Sequence, residues 1–271
     1  MPRLTDAEKQ HYNEQGYVIA PYRLSADALT TLRAALERIV AANANMRPEH
    51  LVSAHVAEDN PEGTIGDRAF LDLAHDPDIL DMVEDVLGPD FMLWGAHMFC
   101  KPGGNGMEVP MHQDGAYWPI APLATASVWV AIDDVDVGNG CMRFIPGSHQ
   151  GKRAMAHHHD DRDDIALSKA VDQAEYDDSS AIDVELKAGE MSLHDVYLIH
   201  GSNANRSDRR RAGIVLRYMP TTSLFDRHKY PPSKDSNIGI NFAERPMILM
   251  RGVDRHGGND FETNVHLVER P

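Results

Sequence analysis

The chain reads as a mainly β protein, a sandwich or barrel with helices packed against its outside. Three observations predict this. Helical periodicity is confined to roughly the first third of the sequence. From about Phe91 onward the segments become short, rich in β-branched and aromatic residues, and separated by Gly/Pro turns. The length of 271 residues, with 42% hydrophobic and 25% charged residues, is ample for a sizeable core.

The elements follow in order. Thr5 with Glu8 three residues later is a capping box, and Gly16 is a plausible stop for the first helix. YVIAPY reads as a short strand. Ser25 precedes a second helix with Leu29, Leu32, Leu36, Ile39 and Val40 at helical spacing. Asp76-Pro77 opens a third, carrying Ile79, Leu80, Val83, Val86 and Leu87, and Gly88-Pro89 ends it. FMLWGAHMFC, ATASVWVAID, CMRFI, MSLHDVYLIH and AGIVLRYM are the strand-like stretches that follow. Residues 152–180, including HHHDDRDD, form a polar excursion between strands. Residues 221–271 read as an irregular C-terminal segment. No repeat or linker divides the chain, so a single domain spanning 1–271 is expected: a helical flank at 1–90, a β core at 91–220 and the terminal segment.

Composition excludes some functions. A formal charge of −16 argues against nucleic-acid backbones and anionic membrane surfaces as partners, since both need a positive footprint. No stretch approaches the length of a membrane span, and the polar start MPRLTDAEKQ lacks an apolar signal core. Cys100 and Cys141 show no metal-like spacing and read as free thiols, so a reducing cytoplasm is the expected setting.

Chemistry concentrates at His112-Gln113-Asp114, answered by His200 and then Arg211. His-x-Asp alone is weak, because His158-x-Asp160 and His159-x-Asp161 also match. Those two lie in a charged run suited to a solvated loop, whereas His112 follows Val109-Pro110-Met111. In an extended segment His112 and Asp114 project from one face and can reach one metal. His200 ends MSLHDVYLIH, and a strand beginning near Arg211 would return antiparallel beside it. Two imidazoles and a carboxylate suit Fe(II) with an open face, and Arg211 can hold a dicarboxylate's distal end with Ser202 placed to help.

The stretches MHQDGAYWPI, PLATASVWVAIDDVDVGNGCMRFIPGSH and HGSNANRSDRRRAGIVLRYMP make the chain resemble the phytanoyl-CoA dioxygenase-like Fe(II)/2-oxoglutarate oxygenases, over most of residues 5–220. The resemblance implies a double-stranded β-helix, a jelly-roll or cupin-like barrel flanked by helices. It implies iron ligands at His112, Asp114 and His200. It also implies a 2-oxoglutarate pocket with Arg211 on the distal carboxylate and Gln113, Thr125, Trp129 and Ser202 nearby, and O2 as the oxidant. Halogenating relatives replace the iron carboxylate with a small residue. Asp114 is retained here, which favours hydroxylation.

For the substrate, Tyr117, Trp118, Asn203 and Arg217 are the candidate contacts, and Arg251 and Arg255 could reach over the mouth as a lid. A small anionic or zwitterionic metabolite such as an aminoalkylphosphonate is expected. Long acyl-CoA esters are disfavoured, since no polybasic surface is evident. Two other classes stay open: a cupin-like metal-binding protein without catalysis, and a zinc hydrolase, which would have no use for Arg211.

Overall fold

Thr5 opens α1 (Asp6–Gln15) with the expected capping box, its hydroxyl accepting from the Glu8 amide and the Glu8 carboxylate accepting from the Thr5 amide at 2.7 Å. Gly16 closes the helix at φ 83°, in the left-handed region that glycine tolerates without strain. The chain passes directly into β1 (Tyr17–Arg23). Ser25 caps α2 (Ala26–Ala42), which buries Leu32, Leu36 and Ile39, and β2 (Leu51–Val52) follows. Among the described residues a fourth helix, α3 (Arg68–Ala74), adds to the three expected. Seven residues are too few to display a helical period, and only the Asp67 cap marks its start. Asp76 caps α4 (Pro77–Leu87), whose Ile79, Met82 and Val83 are fully buried. Each such side chain contributes roughly 1.5–3 kcal/mol by leaving water.

The computed structural model describes residues 3–58, 60–116, 118–230 and 240–261. Its remaining strands are β3 (Phe91–Lys101), β4 (Val109–His112), β5 (Ile120–Ala121), β6 (Ala126–Ala131), β7 (Met142–Phe144), β8 (His157–His159), β9 (Lys169–Val171), β10 (Ile182–Val184), β11 (Glu190–Asp195), β12 (His200–Ser202), β13 (Arg211–Pro220), β14 (Leu224–Phe225) and β15 (Ile248–Arg251). The larger sheet has the order β1-β11-β6-β13-β3-β15, with β2 also on β3, and the smaller has the order β10-β7-β12-β4. Their pairings are antiparallel. This is the jelly-roll arrangement, as two sheets and not a closed barrel.

Period-two alternation divides the larger sheet between two interiors. On β13, Ala212, Ile214, Leu216 and Tyr218 join the helices α2, α3 and α4 in one core. Val215 faces the other way and packs with Phe99, Trp129, Met142 and Phe144 between the sheets. Arg211 and Arg217 share the parity of Val215 and so face this inter-sheet interior, where the functional side chains gather.

One slip interrupts the pattern. Arg217 is opposite Gly95 and Tyr218 is opposite Leu93, leaving Trp94 as an extra residue on β3. This bulge turns Trp94 inward, against Trp118 at 4.5 Å between ring centroids.

The stretch after residue 220 is less irregular than expected. Among its described residues β15 extends the larger sheet at β3 and β14 pairs with β5. The excursion at 152–180 carries the hairpin β8–β9. Arg251 is tied to Asp81 at 2.7 Å and to Glu84, and Arg255 to Asp90 at 2.7 Å, so neither serves as a lid over the site. Among the described residues no helix is long and apolar enough to cross a membrane.

Candidate active site

Three segments deliver the candidate metal ligands. His112 is the last residue of β4, Asp114 opens a 3-10 turn at Asp114–Ala116, and His200 begins β12. Two local expectations are corrected here. Asp114 does not lie in a strand beside His112; the chain turns after Gln113, and the turn brings the carboxylate back toward the imidazole. His200 does not end the MSLHDVYLIH strand either. β11 stops at Asp195 in the larger sheet, and the chain crosses to the smaller sheet before His200, which pairs with His112 across β4.

The result is a compact triad. His112 Nε2 is 3.6 Å from Asp114 Oδ1, and His200 Nε2 is 4.0 Å from Asp114 Oδ2. One donor atom from each residue lies within 4.8 Å of the others, and all three side chains are buried. Both histidines are oriented alike. His112 Nδ1 is 2.9 Å from the Pro110 carbonyl, and His200 Nδ1 is 3.0 Å from the Leu198 carbonyl. A carbonyl only accepts, so each Nδ1 carries the proton and each Nε2 offers a lone pair to the site. Burial, then His112, hold the His200 imidazole well below its ordinary pKa, which keeps it neutral. Burial opposes charge on Asp114, yet His112 and His194, with Arg217 and His200, hold it well below the usual carboxylate range. Two imidazoles and one carboxylate are the donor set of a facial Fe(II) site.

A cavity opens at the triad, lined also by Phe99, Val109, Trp129, Met142, Ser202, Val215, Arg211 and Arg217. Arg211 is 1% exposed, and its Nε and Nη2 have no hydrogen-bond partner. Burial pulls its pKa down to about 10, which leaves it charged at neutral pH. Trp129 lies 4.6 Å beneath the guanidinium, and Gly213 permits this, since a Cβ there would meet the indole at 2.0 Å. Arg211 is opposite Lys101 in register. Lys101 Nζ donates to Ser202 Oγ at 2.7 Å and to the Asn203 carbonyl at 2.6 Å. Among the described residues no carboxylate pairs with either cation. An orphaned guanidinium fork beside a lysine and a hydroxyl fits the distal carboxylate of 2-oxoglutarate.

Arg211 reaches the site differently from the sequence-based expectation. β13 does not pair with β12; it pairs with β6 and β3 in the larger sheet, and Arg211 meets Ser202 across the gap between sheets. Ser202 and Trp129 line the same cavity as Arg211, whereas Gln113 and Thr125 are not among the residues that line it. The Gln113 amide turns away, donating to the carbonyls of Tyr197 and Arg153 and accepting from Met155 N, so it fastens the start of the excursion to the metal loop. Thr125 precedes Ala126, which is opposite Tyr218, seven residues along β13 from Arg211.

Of the substrate candidates, Arg217 lines the cavity with Nη2 at 4.0 Å from Asp114 Oδ1. Trp118 lies 5.2 Å beneath its guanidinium. Asn203 lines a separate outer cavity with Arg143 and Tyr176. Tyr117 lies outside the described residues. The competing His-x-Asp pairs are exposed on the β8 hairpin, where His158 pairs with Asp172 at 2.7 Å and His159 with Asp161 at 3.1 Å.

Three inward residues were not anticipated. They are Lys101, Ser127 (whose hydroxyl donates to Asp114 Oδ2 at 3.3 Å) and His194, with Nε2 at 3.8 Å from the same oxygen. Strand parity could have found them, because each shares its face with an expected site residue or with Trp129.

Residues 12–213 match the phytanoyl-CoA dioxygenase (PhyH) family. A probable phytanoyl-CoA dioxygenase of Caenorhabditis elegans is 27% identical over 236 residues, which cover 79% of this chain and 75% of the relative. A probable alpha-ketoglutarate-dependent hypophosphite dioxygenase of Stutzerimonas stutzeri is 28% identical, over 71% of this chain and 70% of its own. Among solved structures the fold is similar to the apo non-heme monooxygenase ThoJ, with TM-score 0.68 and 24% identity over 92% of this chain and 85% of that one. It is also similar to the epimerase SnoN in complex with Fe3+, alpha ketoglutarate and nogalamycin RO, with TM-score 0.63 and 21% identity over 89% of this chain and 97% of that one. The family match over most of the chain agrees with a site built for Fe(II), 2-oxoglutarate and O2 and leaves no room for the zinc-hydrolase or non-catalytic readings: the chain belongs to the phytanoyl-CoA dioxygenase family and is a 2-oxoglutarate-dependent dioxygenase.

Proposed function

We propose that the enzyme hydroxylates a C–H bond of a small polar metabolite, with an aminoalkylphosphonate as the specific candidate. The observation that carries the hydroxylase reading is Asp114, a buried carboxylate held in its charged form between two inward-facing imidazoles. A halogenating site would need that position vacated.

The residues divide the work. His112, Asp114 and His200 would hold iron by one face. Arg211, with Lys101 and Ser202 beside it and Trp129 beneath, would hold the distal carboxylate of 2-oxoglutarate. Iron with 2-oxoglutarate and O2 supplies the oxidising power when bound, releasing succinate and CO2. Phe99, Val109, Met142 and Val215 form an apolar lining that excludes water and orients what enters. No side-chain general base is needed for this chemistry.

The one cavity at the triad, lined by both Arg211 and Arg217, must accept both co-substrate and the reacting part of the substrate, which favours a small one. The relative named for hypophosphite, itself a phosphorus oxyanion, supports the phosphonate candidate. A cytoplasmic setting is part of the proposal, since Cys100 and Cys141 are buried and unpaired. The net charge of −16 supports a small-molecule partner over a nucleic acid or an anionic membrane.

The test is succinate release with Fe(II), ascorbate and 2-oxoglutarate, screened first over aminoalkylphosphonates. Stimulation by one of them is expected. Stimulation by none would discard the phosphonate candidate and leave the reaction class standing; protein that binds neither Fe(II) nor 2-oxoglutarate would overturn the class.

A further inference from the structure

Arg217 is the second cation on the inward face of β13. It is six residues from Arg211, which places their Cα atoms about 20 Å apart at roughly 3.3 Å per residue. Its side chain is only 12% exposed and its Nε has no partner. The guanidinium lies 5.2 Å from the Trp118 ring and 6.0 Å from the Trp94 ring. Arg245 approaches Trp94 as well, at 5.7 Å.

The two arginines differ in how their charge is met. Arg245 has a dedicated carboxylate, with Nε and Nη2 both donating to Glu62 Oε1 at 2.9 and 2.6 Å. Among the described residues Arg217 has within ion-pair reach only Asp114, at 4.0 Å, beyond hydrogen-bond distance. Asp114 is also shared with His112, His194, His200 and Ser127. A metal held by Asp114 would draw on that same charge. Arg217 would then keep a buried positive charge, an aromatic seat and unused donors, with no protein anion of its own. A buried guanidinium in that position is stabilised by an anion that enters with the ligand.

We propose that Arg217, seated on Trp118 and Trp94, is the specificity-determining residue that receives an oxyanionic group of the substrate at the metal end of the cavity. This rests on the dioxygenase reading above and assigns the substrate's charged group to one residue. The fork geometry accepts two oxygens at once, so a phosphonate or a carboxylate fits, and an uncharged analogue leaves the guanidinium unpaired.

Calorimetry on the protein loaded with Mn(II) and 2-oxoglutarate under nitrogen tests this, with methylphosphonate and propionate as probes. Wild type is expected to bind at least one of them, and the better-bound probe identifies the oxyanion. Arg217→Met is expected to weaken that binding roughly tenfold or more, the scale of a lost charge-assisted pair, while 2-oxoglutarate affinity stays within about twofold. Arg217→Lys keeps the charge without the fork and is expected to fall between. It carries the test if Arg217→Met does not fold, and an affinity equal to wild type would then count against the proposal. Three results would overturn it: wild type binding neither probe, Arg217→Met binding both as tightly as wild type, or Arg217→Met losing 2-oxoglutarate affinity in parallel. Failure of wild type to bind Mn(II) or 2-oxoglutarate at all would instead strike the dioxygenase reading.

Discussion

The cavity has two cationic ends, built from the same residue type on the same face of the same strand. At one end Arg211 lies over Trp129 beside Lys101 and Ser202, fully enclosed, and among the described residues no carboxylate pairs with it. At the other, Arg217 lies over Trp118 beside Asp114 and the metal ligands, still partly open. Residue identity does not separate their roles. Neighbours do: a lysine and a hydroxyl make the Arg211 end a socket for a free carboxylate, while a shared acid and two indoles make the Arg217 end a place for an anion close to the chemistry.

The largest effect should come from the point between the two ends. Asp114→Ala or His112→Ala is expected to abolish succinate production and to lower Fe(II) affinity by at least about tenfold, read by metal analysis after dialysis. Next is the Arg211 end. Arg211→Met should raise the KM for 2-oxoglutarate by about ten- to a hundredfold, the scale of a lost hydrogen-bonded charge pair, with Fe(II) affinity unchanged. An equal loss of iron binding would break the distinction between the ends. Gly213→Ala should act on the same end indirectly. A Cβ driven into Trp129 is expected to cost about 1–3 kcal/mol of stability and to raise the same KM, measured by thermal unfolding and steady-state kinetics.

The smallest expected effect is on acid stability, and it should belong to the Arg217 side. Burial, then Arg245 and His75, hold His55 down at about 3, and burial and Arg217 hold His97 well below its ordinary pKa. These groups stay neutral in the folded protein while the unfolded chain takes up protons below about pH 6.5. Stability is therefore complete above that pH and declines as pH falls from about 6.5 toward 3. His55 alone accounts for about 2 kcal/mol at pH 5. His55→Gln should flatten the fall in Tm between pH 7 and 5; an unchanged slope would remove this asymmetry between the ends.

The parts legible in the sequence were those with local signatures. The caps at Thr5, Ser25 and Asp76 and the stop at Gly16 depend on neighbours a few residues away, and they stand in the structure as expected. His112, Asp114, His200 and Arg211 were found by motif and family resemblance, yet the geometry first assigned to them was wrong in detail. Pairing of β12 with β13 was inferred from adjacency in the chain, and jelly-roll connections send consecutive strands to opposite sheets. Gln113, which the resemblance put near the co-substrate, directs its amide to the Tyr197 and Arg153 carbonyls because the chain turns after it, and no local signature reports that turn. Lys101, Ser127 and His194 were missed because none of them belongs to the His-x-Asp…His…Arg pattern, although alternation along the strand carries the information. The Arg245–Glu62 pair joins residues 183 positions apart, a separation that no periodicity reports.

The bulge at Trp94 has a consequence for how such a pocket can change. With strict alternation Trp94 would face the helices and Gly95 alone of β3 would meet Arg217, leaving that end without one of its two indoles. The single extra residue confines the reversal to one end of β3, because Lys101, Phe99 and His97 keep their partners Arg211, Gly213 and Val215. Gain or loss of one residue at this point is therefore a route by which a jelly roll could remodel its substrate wall while the co-substrate socket, farther along the same strand, stays in frame.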